Sequence, residues 1–115
     1  MPLVKLHVSA GMAAERRAAL VREVRETMVQ TLGIRPEVGH VMLYESAAGD
    51  RTAHANVNGQ FVWVEVLMYA GRSPELKQTL LGALLRVVQA HTGLAALDVN
   101  LVILESDATN WAGGK

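Results

Sequence analysis

The chain is written twice, and that limits its fold more than any other feature. A shift of sixty residues lays Pro2–Ser46 on Val62–Ser106 without a gap. Identical residues occupy Val4/Val64, Ala10/Ala70, Gly11/Gly71, Glu15/Glu75, Leu20/Leu80, Gly33/Gly93, Glu45/Glu105 and Ser46/Ser106. Gly11 and Gly71 end a strand before a helix. Gly33 and Gly93 stand just past a helix, where a left-handed backbone favours glycine. Chance similarity between amphipathic segments would scatter its matches over apolar positions rather than over both punctuating glycines. The pattern is a tandem duplication, so the fold is built from two copies of one unit.

Each unit reads as β-α-β. Over Pro2–Ala10, Val4, Leu6 and Val8 alternate with Lys5, His7 and Ser9, the period of a strand. From Ala13 to Leu32 the apolar positions Ala13, Leu20, Val21, Val24, Met28 and Leu32 fall at helical spacing, with charges opposite. Gly33 stops that helix and Pro36 forbids its resumption. A second strand follows through His40–Glu45. Residues Ala47–Gln60 are small and polar and read as the linker. In the second unit Phe61–Tyr69 is β-prone, and Ser73 caps a helix that has Pro74 at its first position and runs to about Thr92. Gly82 within that helix is expected to permit close helix packing. Leu97–Glu105 is the last strand, and 107–115 a short tail.

A helical crossover joins parallel strands with right-handed sense. Two copies give an α/β (α+β) domain spanning 1–115: a four-stranded sheet with both helices on one face. The division is repeat one 2–46, linker 47–60, repeat two 61–106 and tail 107–115. The uncovered face carries Trp63, Leu67 and Tyr69 beside Lys5, His7 and Glu65, which is too apolar for a solvated surface. Association should bury it; the alternative is a monomeric ferredoxin-like domain with one wet face.

Composition narrows the function. Half the residues are apolar and the formal net charge is zero, so neither nucleic acid nor an acidic membrane is an expected partner. Without cysteine there is no disulfide or thiolate chemistry. The start of the chain lacks the basic and apolar regions of a signal peptide, and the expected compartment is the cytoplasm. His7, His40, His54 and His91 lack metal-ligand spacing, and neither metal nor cofactor is expected.

One residue points to chemistry directly. Pro2 follows the initiator methionine, which methionine aminopeptidase removes readily before a small side chain. The mature chain would then begin with a secondary amine on a rigid ring. An α-amine titrates at about 7.7–8.0 in short peptides, and an apolar setting or a nearby cation lowers that. A base poised near neutrality is what proton transfer requires.

The N-terminal proline, the duplicated unit and Gly71-Arg72-Ser73 at the start of a crossover helix together resemble the tautomerase superfamily, of the 4-oxalocrotonate tautomerase, malonate semialdehyde decarboxylase and macrophage migration inhibitory factor type. MPLVKLHVSAG is similar to the family's opening strand, YAGRSPELKQTLL to its second-repeat helix start, and LDVNLVILESDATNW to the closing strand and tail of longer members. The resemblance implies a homotrimer, with Pro2 as catalytic base and Arg72 as anchor for a substrate carboxylate. Val62, the counterpart of Pro2, is internal and has no free amine, so each chain can hold one such site; Met12 stands in the first half where the second has Arg72. His40 begins the second strand where the 4-oxalocrotonate enzyme has another arginine, and its copy is Asn100. Asn110 and Trp111 lie in a tail that closes over the site in related chains, with Trp111 as an apolar wall. Tyr69 would sit near the site as a possible donor.

Departures from the family's patterns choose among activities. The decarboxylase has an aspartate where this chain has Val38, and a second arginine near the helix start that is absent here. Nothing in the spacing of Glu105 or Asp107 supports activation of water as in the dehalogenases. What remains is keto–enol tautomerisation of a small 2-oxo or enol acid. The alternatives are a decarboxylase or hydratase/dehalogenase of the same superfamily, or a non-catalytic trimeric binding protein.

Overall fold

The computed structural model describes residues 2–53 and 60–113; the linker residues 54–59 and the end of the tail, 114–115, lie outside the described residues. The first unit is β1 (Leu3–Ser9), α1 (Ala14–Leu32) and β2 (His40–Ser46). The second is β3 (Val62–Tyr69), α2 (Pro74–Thr92) and β4 (Val99–Ser106). Both helices contain 19 residues and both end where the sequence places a glycine. Gly33 (φ 66°) and Gly93 (φ 73°) take the left-handed conformation, and their N–H groups donate to Val29 and Gln89 at 2.9 and 2.8 Å. That geometry is cheap only without a Cβ. The Ser73 hydroxyl accepts from the N–H of Leu76 at 3.1 Å with Pro74 in the first turn, whereas Ala13 offers α1 no side-chain cap.

The sheet order is β2-β1-β3-β4. β1 pairs parallel with β2 and β3 parallel with β4, while β1 and β3 run antiparallel where the two units meet. Val4, Leu6 and Val8 of β1 and Val62, Val64, Val66 and Met68 of β3 form one buried cluster with Leu20, Val24 and Met28 of α1 and Leu80, Leu84 and Val88 of α2. Alternate strand residues thus face the helices, and each helix contributes a stripe of period four, as the spacing predicts.

The other sheet face is uncovered in the single chain. Met42, Tyr44, Trp63 and Leu104 each leave 40–45% of their surface exposed. On it His7 stacks on Tyr44 with ring centroids 4.9 Å apart, and Trp63 Nε1 donates to Glu65 Oε2 at 3.0 Å.

Two expectations change. The last strand begins at Val99 rather than Leu97, because Ala96–Asp98 winds into a 3-10 turn in which Asp98 N–H donates to Ala95 at 2.9 Å. Gly82 is not a packing glycine, since a Cβ there would meet only Arg86 Nη1 at 3.8 Å, an ordinary contact. No helix among the described residues is long and apolar enough to cross a membrane.

Candidate active site

The register gathers the candidate residues at one end of the sheet. Leu3 lies opposite Leu67 in the antiparallel pair, so the start of β1 meets the end of β3. Leu3 also pairs with His40 at the start of β2, and Tyr69 pairs with Ser106 at the end of β4. Pro2, His40 and Tyr69 therefore share this end with the segments that carry Arg72 and Asn110–Trp111.

Pro2 is buried just before β1, where the missing N–H removes no ladder bond. Its carbonyl accepts from the N–H of His40 at 3.0 Å. Gly39 (φ 89°) packs beneath it: a Cβ at that position would stand 3.4 Å from both Pro2 Cδ and Pro2 O. Ile34 closes the same spot, with Cδ1 3.6 Å from that point. Pro2 and Ile34 thus both crowd the space that a side chain at Gly39 would need.

Arg72 is half-buried between Gly71 (φ 124°) and the capping Ser73, and makes no ion pair among the described residues. It immediately precedes the N-cap of α2, where the helix dipole adds to its charge. His40 and Asn110 are exposed.

The tail folds rather than trailing. Ala108–Asn110 forms a 3-10 turn, with Asp107 Oδ1 accepting from the backbone N–H and the hydroxyl of Thr109, each at 3.0 Å. Those bonds, the backbone one first, hold the Asp107 carboxyl below the usual carboxylate range. The turn delivers Trp111 edge-on to Tyr69, with centroids 5.3 Å apart and planes at 84°. The indole Nε1 is buried without an acceptor among the described residues.

The opposite end of the sheet holds the sister residues. Val62 stands for Pro2, Ser9 for Tyr69, Met12 for Arg72, Asn100 for His40 and Arg51 for Trp111. A cavity of about 370 Å³ opens there, beside Gly11, Met12, Phe61 and Val62. Arg16 of the first turn of α1 also lines it, but Met12 stands where the other end has Arg72 and the Val62 nitrogen is an amide, so the amine inferred for the Pro2 end has no counterpart in it.

Arg51 lies within the predicted linker and is the residue that sequence reasoning missed. Its Nε donates to Ser46 Oγ at 2.5 Å, and its Nη1 to Ser9 Oγ and to the Phe61 carbonyl, each at 2.9 Å. Its guanidinium carbon lies 3.8 Å above the centre of the Phe61 ring. Burial lowers the guanidinium pKa from the ordinary arginine value. Gly39 was missed as well. The available signal for both was departure from the repeat, since Gly39 matches Val99 and Arg51 matches Trp111.

The sequence pattern of a family described as tautomerase enzyme matches residues 46–114. The chain belongs to that family and so to the tautomerase superfamily. Among solved structures it is similar to the wild-type symmetric trimer of Q0 fused 4-OT, at 30% identity over 93% of this chain and 87% of that one, with a TM-score of 0.86. It is also similar to Pt0534 inactivated by 2-oxo-3-pentynoate, at 25% identity over 97% and 93%, with a TM-score of 0.90. FG41 malonate semialdehyde decarboxylase inhibited by 3-bromopropiolate shares the fold, at 24% identity over 98% and 89%, with a TM-score of 0.82. None of the curated proteins compared matches the chain.

Proposed function

We propose that this chain is a cofactor-independent keto–enol tautomerase of small 2-oxo or enol acids, with Pro2 as general base. The supporting observation is convergence: the register brings the start of β1, with Pro2, to the sheet end that carries Arg72 at the start of α2. The Arg72 guanidinium pairs with the substrate carboxylate in a charge-assisted contact. The neutral Pro2 nitrogen, freed by loss of Met1, takes the enol O–H proton and returns it to the neighbouring carbon as the C=O forms. No atom is gained or lost. Tyr69 and Trp111 form an apolar wall over this transfer, and His40 and Asn110 line the rim.

The working unit in this reading is a homotrimer that buries the sheet face bearing Met42, Tyr44, Trp63 and Leu104. An apolar face of this kind marks an association surface, and fused 4-OT relatives are trimers. Decarboxylation is the less favoured activity, because Val38 stands where the decarboxylase carries an aspartate.

Intact mass combined with a pH–rate profile of phenylpyruvate enol ketonisation tests the reading. The expected protein lacks Met1, and its rate rises with pH through one ionisation as the amine loses its proton. A retained Met1 leaves Pro2 as an amide and excludes the mechanism. A rate that falls through the same ionisation assigns the proline an acid's role, as hydration or decarboxylation would want.

A further inference from the structure

We infer that the Trp111 indole N–H is a hydrogen-bond donor to the substrate oxygen beside the Pro2 nitrogen. This deepens the function just proposed and rests on it. The starting observation is that Nε1 is buried and has no acceptor among the described residues. A buried donor left unpaired is costly, so a native site that keeps one is expected to supply an acceptor.

The sister half indicates where that acceptor belongs. Arg51 and Trp111 occupy equivalent backbone positions. Each follows a 3-10 turn and donates its backbone N–H to the first residue of that turn, Arg51 to Ala48 at 3.4 Å and Trp111 to Ala108 at 3.2 Å. Their dihedrals are also alike, at φ −134°, ψ 146° and φ −111°, ψ 143°. At both positions the side chain ends in N–H donors.

In the first half the chain itself supplies the acceptors. Arg51 Nη1 reaches Ser9 Oγ and the Phe61 carbonyl oxygen, each at 2.9 Å. That carbonyl belongs to the peptide bond of Val62, whose nitrogen is the counterpart of the Pro2 nitrogen. In the second half both acceptors are gone. Tyr69 replaces Ser9, and loss of Met1 removes the carbonyl that precedes Pro2. Ser106, the copy of Ser46, turns its hydroxyl toward the Asp107 carbonyl at 3.4 Å.

The place that Phe61 oxygen holds in one half is thus left to substrate in the other, next to the amine. An enol or keto oxygen there accepts from the indole, and the bond strengthens as enolate charge develops, when it counts for catalysis. The donor's identity also favours an oxygen over an apolar group at that position of the substrate.

The test pairs Trp111→Phe, which keeps the wall and deletes the N–H, with the indole N–H resonance of the wild-type trimer, assigned as the one absent in the variant. Equilibrated phenylpyruvate is the titrant. The expected results are a downfield shift of the Trp111 indole proton and a fall of kcat/KM in the variant on the order of tenfold, with the pH profile retained. If phenylpyruvate perturbs other resonances but leaves this proton unmoved, the inference is overturned even if the variant is slower, since only packing was lost. A variant with wild-type kcat/KM also overturns it, while the proposed function stands provided Pro2→Ala is slow. If the wild type neither binds nor turns over phenylpyruvate or any other member of an enol and 2-oxo acid panel, the proposed function fails and this inference fails with it.

Discussion

Position for position, the core of the first half returns in the second: Val4 with Val64, Leu6 with Val66, Val8 with Met68, Leu20 with Leu80, Val24 with Leu84, Met28 with Val88. The two ends of the sheet do not repeat in this way. One end has Pro2, Gly39, Arg72, Asp107 and Trp111; the other has Val62, Val99, Met12, Ala47 and Arg51. Close packing holds the interior to apolar residues of similar volume. The ends carry no such restraint and have separated into two roles. At one, Arg51 Nε and Nη1 find acceptors within the chain and fasten the start of the linker to β1, β2 and Phe61. At the other, the Trp111 indole N–H and the Arg72 guanidinium have no acceptor and no ion-pair partner among the described residues, as the proposed substrate site would require.

Exchanging the divergent residues tests that division, and the largest effect belongs to Pro2. Pro2→Ala leaves a primary amine on a less rigid terminus. Tautomerisation should slow on the order of tenfold to a thousandfold, the scale of losing a well-placed base. Circular dichroism and the oligomeric state should be unchanged. A variant as fast as the wild type would leave both ends of the sheet equally inert.

Arg72→Met installs the residue that the sister half carries. A charge-assisted contact to a carboxylate contributes about 1.5–3 kcal/mol, so KM should rise on the order of tenfold to a hundredfold, with a smaller change in kcat. An unaltered KM for every active substrate would make Arg72 a solvated cation, equivalent in effect to Met12.

What the two halves share is legible in the sequence. Gly33, Gly93, Ser73 and Pro74 act through local backbone geometry, so their positions alone placed the helix ends. The alternation of β1 and β3 marked the buried strand face for the same reason. Arg51 was not legible, because its partners Ser9 and Phe61 are distant in sequence and meet it only once β1 and β3 pair. The contact of Gly39 with Pro2 likewise depends on β2 lying beside β1. Composition read 47–60 as a polar linker, and composition cannot reveal an anchor made by tertiary contacts.

Gly39→Val, again the sister residue, should act on stability first. A β-branched residue at φ 89° is strained, and its Cβ would already touch Pro2 Cδ and O at 3.4 Å. The expected loss is about 1–2 kcal/mol in urea unfolding. The reverse change, Val99→Gly, removes a buried side chain but relieves no strain and displaces no proline. If Gly39→Val is as stable as the wild type, the seat beneath Pro2 is looser than the contact implies.

Of the two 3-10 turns at matching positions of the repeat, Ala48–Asp50 follows Ala47 and Ala108–Asn110 follows Asp107. The smallest effect is expected from Asp107→Ala, which gives the second of these the residue that precedes the first. The first turn has no side-chain cap and is fastened from beyond by Arg51. The second has no such arginine, and Asp107 Oδ1 holds it through Thr109. Because hydrogen bonds lower the Asp107 pKa from 3.8, the folded turn favours the carboxylate. The stabilisation is fully present above the unfolded pKa and is lost as pH falls through the lower folded value. At neutral pH the variant should therefore keep its fold and show only faster amide exchange over 108–111, with a modest loss of activity as Trp111 loses its fixed approach to Tyr69. Acidification of the wild type should reproduce that local loosening, and the variant should show no further pH dependence there. Equal exchange in both proteins at neutral pH would mean that the Tyr69–Trp111 contact alone holds the tail, and that the two turns differ in sequence but not in how they are secured.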